Sequence, residues 1–234
     1  KNCLGFNYIE EGLASYYPFE VINNNINSRT YSLKEKINNY LCYGKRLPGL
    51  QFFDSNYQRV YGISEYTFPN FKNRIILKNF FSNGTCDGKY DNAHILVFDA
   101  LVEFKMLDYQ QLVSFLEKFI MYLKRREYSK VYFKLHPEQL KDEGSGSKIR
   151  EILKNVDDVN FLEIPENSVL EYIMSTNKNL TFYTLISSVG LYAAMCGHNV
   201  YCFMNSFKNQ NKKFDKITQN MPSSFLNLLE HVKI

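Results

Sequence analysis

The chain has 234 residues, 45% of them hydrophobic, and a formal charge of +4, enough apolar material for one large domain or one and a half smaller ones. Basic and acidic residues are interspersed rather than blocked, which gives little support to general nucleic-acid binding. No run of about 18 apolar residues occurs, so nothing reads as a membrane span, and the five scattered cysteines (Cys3, Cys42, Cys86, Cys196, Cys202) form no Cys-x-x-Cys pair, against a zinc site or a disulfide framework and in keeping with a reducing cytosol.

Lys1 to Tyr8 lacks the apolar stretch and cleavage site of a signal peptide and reads as the middle of a longer protein. Leu4 to Ile9 is expected as a strand ending in Glu10-Glu11-Gly12. Two adjacent carboxylates at a strand end suit a general base, because like charges in proximity raise one pKa, and the glycine lets backbone approach a ligand. A polar turn would look the same. After an Asn-rich passage from Val21 to Arg29, a helix is expected over Ser32 to Tyr43, closed by Gly44. Lys45 to Phe71 reads as irregular chain around a short strand at Arg59 to Ile63. Arg74 to Lys78 is another apolar run, and Asn83-Gly-Thr-Cys-Asp-Gly88 is turn chemistry. Sequons at Asn83 and Asn179 are given no role, the second lying in an expected strand.

From His94 the pattern becomes regular. A strand over His94 to Asp99 precedes a helix that Asp108 can cap, with Leu112, Phe115, Leu116, Phe119, Ile120 and Leu123 at helical spacing and Lys124, Arg125 and Arg126 in its last turns. Val131 to His136 is the next strand, followed by helix near Lys148 to Lys154, strand at Phe161 to Ile164, helix at Ser168 to Ser175 and strand at Leu180 to Ile186. A helix then runs to Met195, a strand covers Val200 to Met204, and an amphipathic helix is expected over Ser223 to Val232. Strands alternating with helices at this spacing imply a parallel, doubly wound sheet. The abundant aromatics, 18 Tyr and 19 Phe, fall mostly in periodic runs and read as core.

Three features follow strands of this sheet, at the ends where open α/β sheets hold ligands. His136, before the stiffening Pro137, can act as a general acid or, protonated, steady a leaving phosphate. Glu171 can accept from ribose hydroxyls or, as Ser168-x-x-Glu171, close a capping box. Ser187 and Ser188 at a helix start offer two hydroxyls and backbone N–H groups to an anion, or simply an N-cap. No Asp-x-Asp occurs, so a metal-diphosphate donor site has no obvious ligands.

In order along the chain, Glu10-Glu11-Gly12, His136-Pro137 and Ser187-Ser188 resemble the acidic-acidic-Gly, His-Pro and Ser-Ser motifs of bacterial GT-B sialyltransferases. Ile164-Pro165-Glu-Asn167-Ser-Val-Leu-Glu171 is similar to the family segment that offers a carboxylate to the cytidine ribose. The resemblance, spanning Glu10 to about Gly197, implies metal-independent, inverting transfer of sialic acid from CMP-sialic acid to a glycan acceptor in bacterial capsule or lipooligosaccharide synthesis. It makes Glu10 (less readily Glu11) the base, His136 the acid, and Pro137, Glu171, Ser187 and Ser188 the donor nucleotide contacts. The implied fold is α/β and GT-B-like: a doubly wound, Rossmann-type nucleotide-binding lobe over residues 73–234, behind a partial N-terminal acceptor-side lobe over residues 1–72. CDP-glycerol or CDP-alditol phosphotransferases share the His-Pro and Ser-Ser signals, and a nucleotide-binding module without catalysis fits the reduced first lobe. A cytoplasmic setting is expected, with peripheral association at an inner membrane hinted at by Lys124 to Arg126.

Overall fold

The structure, a computed structural model, describes residues 7–18, 57–77, 87–141 and 144–234, with isolated positions between 21 and 41. Most of the helix expected over Ser32 to Tyr43 lies outside the described residues. The chain divides into two units, Lys1–Phe80 and Phe81–Ile234.

The first unit holds a parallel sheet of β1 (Asn7–Ile9), β2 (Arg59–Gly62) and β3 (Arg74–Ile76), in that order, with Asn7 opposite Arg59 and Val60 opposite Arg74. Tyr16, Tyr17, Val60 and Phe68 are buried against it. The Arg74 guanidinium donates to the carbonyls of Glu65 and Thr67, fixing the loop between β2 and β3. Arg74–Ile76 therefore belongs to this sheet, and the boundary expected at residue 72 falls between Phe80 and Phe81. An apolar run names a strand without naming the sheet it joins.

The second unit is built on β4 (His94–Val97), β5 (Lys130–Lys134), β6 (Asn160–Glu163), β7 (Thr181–Thr184), β8 (Asn199–Cys202) and β9 (Glu230–His231). Every pairing is parallel and the order is β6-β5-β4-β7-β8-β9. The chain starts in the middle, winds to one edge, returns beside β4 and winds to the other. That is the doubly wound, Rossmann-type order, with its reversal between β4 and β7.

Among the described residues the helices of this unit are α1 (Tyr109–Arg125), α2 (Gly146–Lys154), α3 (Leu170–Thr176), α4 (Ser188–Met195), α5 (Lys212–Gln219) and α6 (Ser223–Leu226). Asp108 caps α1 as its sequence suggests: its carboxylate accepts from Gln111 N at 2.8 Å while the Gln111 side chain takes Asp108 N at 2.9 Å. Leu112, Phe115, Leu116, Phe119 and Leu123 form the buried stripe, and Phe119 meets Tyr183 of β7 and Phe203 edge-on at 5.2 and 5.5 Å. All four residues of β7 are buried, as a central parallel strand requires. Gly190 lets α4 lie close to β7, since a Cβ there would stand 2.9 Å from Thr184 Oγ1.

The carboxyl-terminal stretch departs from expectation. The helix begun at Ser223 stops at Leu226, and Glu230–His231 adds a sixth strand beside β8, extended by Val232 N donating to Cys202 O. Helix α5 also stands where none is expected, capped by Asn211, whose side chain accepts from Lys213 N and Phe214 N. A two-residue edge strand leaves no periodicity to read.

Candidate functional site

In the first unit Glu10 follows β1 directly. Its Oε1 accepts from the Tyr16 hydroxyl at 2.5 Å, and its Oε2 accepts from Ile63 N at 2.7 Å and Thr67 Oγ1 at 2.9 Å. The carboxylate thus joins the end of β1 to the loop after β2. Burial, then the bond to Glu10, drives the Tyr16 phenol far above its ordinary value, so it remains a donor. Gly12 is buried and starts a tight turn, its carbonyl accepting from Ser15 N, and is not held open for a ligand. Glu11 is exposed, its backbone N–H donating to Ser15 Oγ at 3.3 Å. The motif pair therefore splits: one carboxylate turns into the fold and its neighbour faces solvent.

In the second unit His136, Glu171, Ser187 and Ser188 all follow carboxyl ends of strands in one sheet. His136 lies two residues beyond β5 and caps the short turn Pro137–Leu140, with Pro137 at its first position. Its Nδ1 accepts from Glu138 N at 3.1 Å, and its own N–H donates to Gln139 Oε1 at 2.9 Å. An Nδ1 that accepts carries no proton, so the neutral ring bears its hydrogen on Nε2. Burial holds the pKa below its usual value; Glu138 and Glu103 oppose that shift and Lys141 adds to it. His136 is consequently a neutral N–H donor, and the imidazolium considered from the sequence would set N–H against N–H at the cap. Phe104 meets the ring edge-on at 5.9 Å.

Ser187 is the N-cap of α4, its hydroxyl oxygen accepting from Val189 N at 3.2 Å. Its hydroxyl is thus engaged inside the protein. Ser188, the first residue of the helix, is half-buried, and among the described residues no partner takes its hydroxyl. The capping box at Ser168 and Glu171 is not formed: α3 begins two residues later than expected, with Val169 as its N-cap and no side-chain cap bond. The Glu171 charge, second to burial, helps push the Cys196 thiol up to about 11. Cys196 closes the other end of α4 from Ser188, so Glu171 is electrostatically linked to that end.

Four further side chains stitch this edge of the sheet. Asp99, two residues past β4, accepts from Ile186 N at 2.9 Å. Its residue surface is half-buried, yet its carboxylate is enclosed enough for desolvation to outweigh hydrogen bonding and push its pKa up to about 6. Gln139, 1% exposed, donates to Asp99 O at 3.4 Å while holding His136 N. Gly144 and Gly146 fold over it, where any Cβ would stand 2.4 and 2.5 Å from the Gln139 carbonyl, which accounts for glycine at both positions. Lys134 Nζ donates to the carbonyls of Pro165 and Glu166, joining β5 to the loop after β6. Glu103 binds Ser145 N and Oγ through Oε1, leaving a buried Oε2 with no partner among the described residues. A carboxylate just past the first strand of a doubly wound sheet was a readable signal for Asp99; Gln139 carries none.

The basic end of α1 is partly consumed, Lys124 pairing with Asp158 at 2.6 Å and Arg126 stacking 4.6 Å over Tyr122. No helix among the described residues is long and apolar enough to cross a membrane, and no group of three His, Cys, Asp or Glu among them could hold a metal ion. No protein-family model matches the chain, and no curated protein matches it significantly.

Proposed function

We propose that the chain belongs to a glycosyltransferase that moves sialic acid from CMP-sialic acid to a glycan hydroxyl with inversion. The observation that carries this reading is His136, which presents an Nε2–H donor at the carboxyl edge of a parallel sheet, next to its winding reversal. CMP leaves with a single phosphate. A neutral imidazole N–H, together with the N–H and hydroxyl of Ser188 at a helix start, stabilises that developing charge without requiring a metal ion. The base implied at Glu10, less readily at Glu11, belongs to the first unit; Glu10 accepts three hydrogen bonds that hold that unit together, and Glu11 is the exposed member of the pair. Glu171 offers its carboxylate to the ribose hydroxyls in this reading.

Incubation with CMP-sialic acid, CDP-glycerol and UDP-sugars side by side tests the reading. Nucleotide release from CMP-sialic acid alone is expected, slowed about 100-fold or more in His136→Ala. Release from CDP-glycerol alone would point to an alditol-phosphate transferase, and release from none to a binding module.

A further inference from the structure

A groove of about 580 Å³ runs between the carboxyl-terminal half of α1 and the segment that follows β9. Lys118, Arg125 and Arg126 enter it from the helix and Lys233 from the segment, while Met121, Tyr122 and Val232 supply its apolar surface. Lys118, Met121, Tyr122 and Arg125 fall at i, i+3, i+4 and i+7, so one outward stripe of α1 carries a charge at each end and a thioether between them. Both walls are fixed. The helix is anchored by its buried stripe, Val232 N donates to Cys202 O at 2.9 Å, and Ile234 N donates to Ser206 Oγ at 3.2 Å. The Arg126 guanidinium is held 4.6 Å over the Tyr122 ring. No aspartate or glutamate lines the groove, and among the described residues none of its four cations enters an ion pair. Lys124, at the same end of the helix but outside the groove, is the residue that does, with Asp158.

We propose that this groove docks the protein on a bilayer containing anionic phospholipid, its cations pairing with headgroup phosphates and Met121 entering the acyl boundary. Four unpaired like charges around one groove repel each other, and an anion from outside relieves that repulsion. Met121, 53% exposed among them, decides which anion. A nucleic acid or a soluble polyanion would leave this thioether in water, whereas a membrane surface sets phosphate directly beside hydrocarbon. Lys and Arg suit that boundary because their methylene stems lie along apolar surface while the charged heads reach the phosphates. Glu230, which acts electrostatically on Tyr122 from β9, stays outside the lining of the groove. The groove shares no residue with the turn that bears His136, so docking there is independent of which donor the protein uses.

Met121→Trp gives the chain a single tryptophan, since the sequence has none. Its emission is read with vesicles of phosphatidylcholine alone and of phosphatidylcholine mixed with phosphatidylglycerol, with and without brominated acyl chains, while co-sedimentation measures the affinity of the unsubstituted chain. The mixed vesicles should bind the protein, less tightly as salt rises, and should shift the tryptophan emission to the blue and quench it through bromine. Lys118→Ser with Arg125→Ser should weaken that binding about 25-fold, about fivefold for each charge. Lys148→Ser with Lys154→Ser removes the same charge from α2, which packs against β6 at the opposite edge of the sheet from β9, and should weaken it about twofold at most. Should the first pair fail to fold, Lys118→Ser alone replaces it, with about a fivefold loss expected. Equal losses from the two pairs, or equal binding to neutral vesicles, would overturn the proposal. So would sedimentation without a blue shift or quenching at position 121, because another face would then be docking. Binding of polyphosphate or single-stranded DNA with no binding to either vesicle would reassign the groove to a soluble polyanion and overturn it as well. The absence of any binding ends it outright.

Discussion

In the first unit a carboxylate just past β1 takes the N–H of Ile63, beyond the end of neighbouring β2, together with the hydroxyls of Thr67 and Tyr16. In the second, a carboxylate just past β4 takes the N–H of Ile186, beyond the end of neighbouring β7. Glu10 belongs to a recognisable motif and Asp99 to none, yet both tie the carboxyl ends of two adjacent parallel strands. The difference is in what else each tie controls. Glu10 closes a three-stranded sheet onto its own buried tyrosine, whereas Asp99 grips the start of a helix and the loop of a histidine. A motif thus marks a place in the fold, and the residue left outside the internal hydrogen bonds is the neighbour: Glu11 beside Glu10, Ser188 beside Ser187.

The largest effect that would break this parallel lies at Glu10. Glu10→Ala strands two hydroxyls and a backbone N–H, and should cost about 3 kcal/mol in chemical denaturation, while Glu11→Ala stays within about 0.5 kcal/mol of wild type. If Glu10→Ala unfolds like wild type but abolishes transfer, Glu10 is the base after all and the comparison with Asp99 fails.

A pH series on stability sharpens the contrast next. Asp99 is raised from 3.8 to about 6 in the folded protein, so the folded state holds its proton more tightly than the unfolded one. Its contribution is then most favourable below the unfolded value and is lost as pH rises through about 6. His136, lowered by burial, acts in the opposite sense: it favours the fold above its unfolded value and withdraws that support as pH falls. Asp99→Asn should therefore steepen the rise of stability with pH over the mildly acidic range. Melting curves unchanged in slope by the substitution would mean that Asp99 titrates alike in both states.

The smallest effect separates the paired serines. Ser187→Ala removes an N-cap and should cost about 1 kcal/mol, while Ser188→Ala should leave stability within about 0.5 kcal/mol and weaken nucleotide binding more than nucleoside binding. Equal losses of stability would deny the division into inward and outward members.

What could be read in the chain followed from how local its causes were. The Asp108 cap and the stripe from Leu112 to Leu123 are set by neighbours within a few residues, so α1 was legible nearly to its ends. Strands β4 to β8 were legible as apolar runs. His136 could be placed at a strand end, but its tautomer depends on the N–H of Glu138 folding back, which no residue pattern announces. The turn at Ile186 depends on Asp99, far away in the chain, and the fate of Glu10 depends on Ile63 and Thr67. Helix α5 and strand β9 were missed because one has a single capping asparagine for a signal and the other is two residues long.

The order of the large sheet also has a kinetic side. Among its described strands, every pairing joins sequence neighbours except β4 with β7. Two halves, from β4 to β6 and from β7 to β9, can each assemble through short crossovers, whereas bringing β7 beside β4 closes a loop across the whole first half. That seam therefore carries the largest loop-closure cost in the sheet. Asp99 and Ile186 are bonded across it, so this tie forms only when the two halves dock.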